Sequence, residues 1–395
     1  AKPKIGLVGY NVSNLRIPNL SRNWEKDEHK PSRIASPLEI MIEAPIGAAA
    51  FNNEFGRPAT LGYFRSFETD FIDNKAFGYH KPIMLAGGIG EIRDKNNFKL
   101  QISEDYLVIV LGGPAMLIGL GGGAASSVSS GESDEDLDFA SVQRDNAEME
   151  RRCQEVINKC SSQDESFIEF IHDVGAGGLS NAIPELAKDS NLGVFIELSK
   201  IPNVDTSMSP MEIWSNESQE RYVLAIHENN KKSFEEICKR ERCEYAIVGY
   251  TTKEMAVKLF DEKNNNYPVD VPLSMLFGDL PITEMQVSEK QYSEEKGNNA
   301  EEFDLHDSII KTLQHPTVAS KAFLITIGDR TVGGMVARDQ FVGPYQVPVS
   351  DYSLTMRSFT SKTGEVLSIG EKPTLAISNP AASMRMSLAE ALTNM

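Results

Sequence analysis

The chain has 395 residues, with 57 acidic and 39 basic side chains and a formal net charge of -18. That length suggests about two or three domains, each able to bury its own core. The acidic balance excludes non-specific binding to nucleic acid or to an anionic membrane, both of which need a basic footprint.

The four cysteines, Cys153, Cys160, Cys238 and Cys243, stand in no zinc spacing and are too few for a disulfide framework, as expected of a reduced, cytoplasmic protein. No apolar run approaches the roughly 20 residues of a membrane helix, and nothing at the N-terminus has the make-up of a signal peptide. The chain starts at Ala1 without a methionine and ends at Met395 straight after a helical pattern, so it reads as a piece of something longer.

In chain order, the first strand candidate is Lys4 to Gly9, KIGLVG. Lys81 to Ile89 and Tyr106 to Leu111 follow with strand length and composition. Ser126 to Asp138 is small and acidic, with the composition of a solvated loop. From Asn146 to Cys160 the pattern becomes helical, with Met149, Cys153, Val156, Ile157 and Cys160 on one face. That assigns Cys153 and Cys160 to packing. Strands are expected at Phe167 to His172, Arg221 to Ile226 and Tyr245 to Tyr250, with Phe234, Ile237 and Cys238 forming the inner face of a helix before the last.

Ser288 to Asp304 is polar and charged and cannot offset its ordering entropy, so it reads as a linker or mobile loop. Phe323 to Gly328, FLITIG, is a possible second copy of the 4–9 strand. Asn379 and Pro380 form an N-cap and N1 pair for a final helix, with Met384, Leu388, Ala391 and Leu392 expected on its core side. The class is α/β or α+β with mixed sheets.

Three segments depart from what packing demands. Leu111 to Ser127 holds more glycine than a helix or central strand tolerates, which suits either a phosphate-cradling backbone nest or a tight packing surface. It is neither a Walker A loop nor a strict G-x-G-x-x-G. In Phe167 to Leu186 a strand runs into His172 and Asp173, then a glycine turn, then a helix opening near Leu179 or Ser180. A carboxylate in that place, beside helix N-terminal amides, suits Mg²⁺ and an anionic substrate, the alternative being a turn-capping role. His172 should face the other way and is read as structural.

Trp214 to Tyr222 is a polar cluster in which Glu217, Ser218 and Gln219 offer groups for ribose hydroxyls or an amide, unless it is simply a solvated loop. Towards the C-terminus, Asp351 follows an apolar run, and Glu390 and Asn394 share one helix face at i and i+4. Two carboxylates and an amide oxygen fit a hydrated Mg²⁺, or form a surface pair. No nucleophilic constellation is present: the six histidines form no H-x-x-x-H pattern and there is no G-x-S-x-G.

Longer runs carry a resemblance. GGPAMLIGLGGGAASS from Gly112, DFASVQRDNAEMERRCQEVI from Asp138, HDVGAGGLSNAIPEL from His172, SNESQERYVLAI from Ser215 and MVARDQFVGPYQVPVSD from Met335 resemble the large form of phosphoribosylformylglycinamidine synthase. FNNEFGRP from Phe51, YHKPIMLAGGIG from Tyr79 and EALTN from Glu390 fit too. The resemblance covers nearly the whole chain, apart from residues 70–74, 193–208 and the acidic linker.

It implies tandem PurM-like halves, akin to aminoimidazole ribonucleotide synthetase. Residues 1–100 would be the rest of a first A half, 101–283 a B half, 284–304 a linker and 305–395 an incomplete second A half. It implies ATP- and Mg²⁺-dependent amidation of formylglycinamide ribonucleotide, with ammonia from the glutaminase domain of the same full-length enzyme. Gln143, Glu217, Ser218 and Gln219 match substrate-contacting positions and Asp173 a Mg²⁺ ligand. Asp351, Glu390 and Asn394 match Mg²⁺ ligands of a second, structural ATP/ADP site, with Ser350 beside the nucleotide.

The family's catalytic histidine motif and nucleotide loop, its second B half and its glutaminase triad have no counterpart here, so the isolated chain is expected to lack synthase activity. Two alternatives stand: another ATP-dependent enzyme of the superfamily, or a non-catalytic nucleotide-binding piece.

Overall fold

The computed structural model describes residues 2–20, 22–26, 34–69, 76–120, 146–218, 220–278, 282, 284 and 304–395. Gln143, Gln219, the glycines from 121 on, the acidic 126–138 stretch and most of the expected linker lie outside the described residues. The chain divides into two compact units, Ala1–Glu91 with Glu284–Met395, and Ile92–Thr283. Residues 1–91 and the C-terminal part thus share one unit.

The first unit opens with β1 (Lys2–Val12), α1 (Pro37–Phe55), β2 (Ala59–Ser66) and β3 (Ile83–Glu91). The sheet order is β2-β1-β3, with β1 parallel to β2 and antiparallel to β3. Helix α1 starts with a capping box, Ser36 receiving the Glu39 amide while the Glu39 carboxylate returns to the Ser36 backbone. Tyr10, Val12, Met41 and Phe64 form its small core.

The second unit contains β4 (Leu107–Gly112), α2 (Ala147–Ser161), β5 (Phe170–Asp173), α3 (Leu179–Ser190), β6 (Gly193–Glu197), α4 (Pro210–Trp214), β7 (Arg221–Ile226), α5 (Lys231–Glu241), β8 (Tyr245–Thr252), β9 (Ala256–Asp261), β10 (Asn266–Pro272) and α6 (Leu273–Leu276). Its seven strands run β10-β9-β6-β8-β4-β7-β5, all neighbours antiparallel except β6 and β9.

The continuous apolar runs of β4 and β7 reflect burial on both faces. Val108, Val110, Val223 and Ala225 join α3 and α4 in one core, while Ile109, Leu111, Leu224 and Ile226 join α2 and α5 in another. The expected helix faces are confirmed there: Cys153, Val156 and Cys160 of α2 and Phe234, Ile237 and Cys238 of α5 are buried, and Met149 and Ile157 pack beside them.

The first unit resumes with α7 (Leu305–Gln314), α8 (Ala322–Ile325), β11 (Val336–Arg338), β12 (Phe341–Val342), β13 (Val347–Pro348), β14 (Tyr352–Met356), β15 (Gly364–Ser368) and α9 (Pro380–Asn394). Strands β11-β14-β15 form an antiparallel sheet.

Two expectations are corrected here. Phe323 to Gly328 is no strand: α8, a single helical turn, occupies its first part, so its likeness to 4–9 is compositional. In α9, Asn379 caps the helix as expected, accepting from the Ala382 amide at 2.9 Å, but Met384, Leu388 and Leu392 are exposed and only Ser383 is buried. The helix packs through small residues instead. Ser383 Oγ donates to the Lys372 carbonyl at 2.6 Å, Ser387 Oγ accepts from the Lys372 amide at 3.0 Å, and Ser368 Oγ donates to the Ala391 carbonyl at 2.7 Å.

Candidate functional site

In the second unit, Asp173 ends β5, paired across the ladder with Tyr222 of β7. The next amide, Val174, donates to the Arg221 carbonyl at 3.1 Å, which fixes where the strand stops. The Asp173 side chain is 79 % exposed, and a glycine turn leads from it into α3. His172 does not face cleanly away: its Nδ1 meets the Asp173 carbonyl oxygen at 2.7 Å, while Nε2 contacts the Glu185 carboxylate at 2.7 Å. That supports the structural reading of the ring.

Gly178 caps α3 with φ 65° and touches a second loop. A Cβ on it would lie 2.1 Å from the Asn216 carbonyl oxygen. That second loop is the polar cluster after α4, a helix set by Pro210 and a Ser209–Glu212 capping box.

The cluster is not a solvated loop. Trp214, Asn216, Glu217, Ser218 and Arg221 are all buried. Asn216 Nδ2 donates to the Glu212 and Ile213 carbonyls, each at 2.8 Å, closing α4. The Glu217 amide donates to the Ile118 carbonyl at 2.7 Å, and Ser218 Oγ accepts from the Met116 amide at 2.9 Å.

The described end of the glycine-rich run, residues 112–120, thus forms one wall of the loop. Gly119, at φ 61°, is needed because a Cβ there would come within 2.6 Å of Glu217 Oε2. The structure therefore brings Asp173, Gly178, Glu217 and Ser218 onto adjoining loops.

Sequence reasoning missed Asn216 and Arg221 as the groups that organise this loop. A signal was available, since Arg221 shares the core-facing alternation of Val223 and Ala225.

The cysteines offer no nucleophile. Cys153 Sγ lies 3.7 Å from Cys243 Sγ in the core, and that thiol contact together with burial drives the Cys153 thiol far up. Burial pushes Cys160 to about 12.

In the first unit, a cleft of about 200 Å³ is lined by residues that include Tyr10, Asn52, Tyr63, Lys321, Gln340 and Ser350. Ser350 Oγ donates to the Tyr352 carbonyl at 2.7 Å and accepts from Arg338 Nε at 3.0 Å. Lys321 Nζ donates to the Thr317 carbonyl at 3.0 Å, and burial lowers its pKa to about 8.

The expected metal ligands lie at one end of the β14–β15 sheet. Asp351 directly precedes β14, whose first residue Tyr352 pairs with Ser368, and Asn394 Nδ2 donates to the Ile369 carbonyl at 3.2 Å. Glu390 accepts from Lys372 Nζ at 2.7 Å and from the Glu371 amide at 2.9 Å. Burial works against its charge, but these donors outweigh it and hold the carboxyl below its ordinary range.

The donors are the hard oxygens that Mg²⁺ takes, and Asn394 keeps its amide oxygen for one. Lys372 would have to yield Glu390. Among the described residues no three His, Cys, Asp or Glu side chains cluster as a ready-made metal centre, so the residues fit Mg²⁺ only as partial ligands completed by water or phosphate.

Residues 103–262 match the family described as AIR synthase related protein, C-terminal domain, and residues 320–395 match the FGAR-AT PurM_N-like domain. The chain has the PurM-like fold. The first match carries the name of AIR synthase related proteins and the second that of the PurM-type domain of FGAR-AT. Among solved structures, Thermotoga maritima PurL complexed with FGAR superposes with a TM-score of 0.63 at 18 % identity, covering 100 % of this chain and 55 % of that one. The ADP complex gives 0.62 at 17 %, covering 100 % and 53 %. T. maritima phosphoribosylformylglycinamidine synthase II gives 0.60 at 18 %, covering 99 % and 53 %. The chain thus spans about half the length of these structures. No described helix is long and apolar enough to cross a membrane.

Proposed function

We propose that this chain is the PurM-like part of a cytoplasmic formylglycinamidine ribonucleotide synthase, and that its second unit holds formylglycinamide ribonucleotide. In this reading, residues 1–100 and 305–395 are A-type halves and 101–283 a B-type half. One observation carries it: a run as polar as Asn216-Glu217-Ser218 is buried against the glycine turn that follows Asp173. Burying polar groups is costly unless they find partners, so a buried polar run beside a glycine turn is a natural place for a polar ligand.

In the reaction the substrate's amide oxygen attacks the ATP γ-phosphate and releases ADP, and ammonia supplied by a glutaminase domain then adds to the activated amide carbon and displaces inorganic phosphate. The protein's share is positioning and charge stabilisation. Glu217 and Ser218 orient the ribonucleotide, together with Gln143 and Gln219. Asp173 is the residue here suited to Mg²⁺, which supplies neutralising charge to phosphate when bound.

Glu217→Gln in the complete enzyme tests this. Loss of a charged hydrogen bond of about 1.5–3 kcal/mol should raise KM for formylglycinamide ribonucleotide roughly 10- to 100-fold with KM for ATP unchanged. Unchanged affinity for the ribonucleotide refutes the site.

In this reading the second nucleotide belongs to the first unit, in the cleft that Ser350 and Lys321 line, with Asp351, Glu390 and Asn394, outside that lining, as its Mg²⁺ ligands. Lys321 is protonated below about pH 8 and neutral above it. A bound polyphosphate favours the charged form, so ADP binding should weaken as pH rises through 8 and should take up a proton near that pH. Calorimetry of ADP and Mg²⁺ in buffers of different ionisation enthalpy reads this uptake directly. Lys321→Gln should abolish it and lower affinity at pH 7; uptake that persists in the variant rejects the assignment.

A further inference from the structure

We propose that Arg221 is the positioning residue of the 216–218 loop, holding Glu217 and Ser218 in the geometry that receives the ribonucleotide; this rests on reading that loop as the substrate site. Arg221 is 2 % exposed, among the largest fully buried side chains in the described structure. Its Nε donates to the Ser218 carbonyl at 2.7 Å, and its Nη2 donates to Asn216 Oδ1 at 3.0 Å and to the Asn216 carbonyl at 3.5 Å. Asn216 Oδ1 also accepts from the Ser218 amide at 3.2 Å.

One guanidinium therefore grips the backbone on both sides of Glu217. The Arg221 carbonyl accepts from the Val174 amide at 3.1 Å, so the same residue also sets the end of the Asp173 strand. Packing alone would not choose arginine here, because Val223 and Ala225, the next residues on this face of β7, fill the same core with hydrocarbon. A buried cation is costly to desolvate. The return is a rigid planar fork that fixes two carbonyls and a side-chain amide at once, which a lysine ammonium cannot reproduce. Glu220, held at φ 46° between the loop and the strand, is the kind of strained backbone that persists only where its surroundings over-determine it.

The test is steady-state kinetics of the complete enzyme carrying Arg221→Lys, with Glu217→Gln in parallel. The expected result is a rise of about tenfold or more in KM for formylglycinamide ribonucleotide in both variants, with KM for ATP unmoved. A rise in Glu217→Gln but not in Arg221→Lys overturns the positioning role and leaves the substrate site standing. No rise in either overturns both. If Arg221→Lys does not fold, Arg221→Met, whose neutral side chain suits the surrounding apolar core but makes none of these bonds, should raise the same KM. An unchanged KM in that variant overturns the role as well.

Discussion

Gly178→Ala should unfold or displace the substrate loop, lowering the melting temperature of the second unit and the affinity for formylglycinamide ribonucleotide together. Two costs combine. With φ 65° and ψ -148°, Gly178 occupies a region that is essentially glycine-only, worth about 1–3 kcal/mol for any other residue. The new methyl would also stand 2.1 Å from the Asn216 carbonyl oxygen and 3.0 Å from its carbonyl carbon. Those are backbone atoms, and Asn216 is pinned by its bonds to Glu212, Ile213 and Arg221.

A total near 3 kcal/mol corresponds to a fall of roughly 6–12 °C for a unit of this size. Gly175→Ala is the internal control: its Cβ would meet only Asp173 Oδ2, at an ordinary 4.0 Å. Differential scanning calorimetry and ribonucleotide titration on both variants decide the point. If Gly178→Ala behaves like Gly175→Ala, the close approach of the two loops is not a constraint on this protein.

What the sequence made legible follows the range of the interactions. Helix α2 was readable because Cys153, Val156 and Cys160 repeat with a local period, and that period suffices to place them in a core. The strands β4 and β7 were readable from continuous apolar runs, with no knowledge of their partners. The buried polar loop was not readable from composition. Asn216 and Ser218 are satisfied by carbonyls and amides from α4, residues 116–118 and Arg221, and no local pattern announces those partners.

Helix α9 fails for a related reason. Its apolar period exists, but the face turned inward carries Ser383 and Ser387, which with Ser368 make hydroxyl bonds to carbonyls and an amide that the apolar pattern does not announce. The bond from Asn394 to the Ile369 carbonyl joins α9 to the end of β15, a contact that spacing along the chain does not encode.

The second large effect is expected at Asp173, where function and stability should separate. The backbone of Asp173 is fixed by its ladder partner Tyr222 and by the Val174 bond to Arg221, but the side chain is 79 % exposed. Asp173→Asn keeps the shape and removes one negative charge, so folding should change little, within about 0.5 kcal/mol for an exposed site. Turnover of the complete enzyme should fall by two orders of magnitude or more. The Mg²⁺ concentration for half-maximal rate should rise at least tenfold, because a neutral amide oxygen is a much poorer ligand for a hard dication than a carboxylate.

At -18, the protein's long-range field repels both the ribonucleotide and ATP. In the proposed function, bringing these polyanions together would require local positive charge, and metal held at carboxylates such as Asp173 would supply it where lysine-rich surfaces serve elsewhere. A Mg²⁺ titration of the initial rate, run beside thermal unfolding, distinguishes the cases. Wild-type metal dependence in Asp173→Asn would remove the residue from the metal site, whereas a large loss of melting temperature would return it to a turn-capping role.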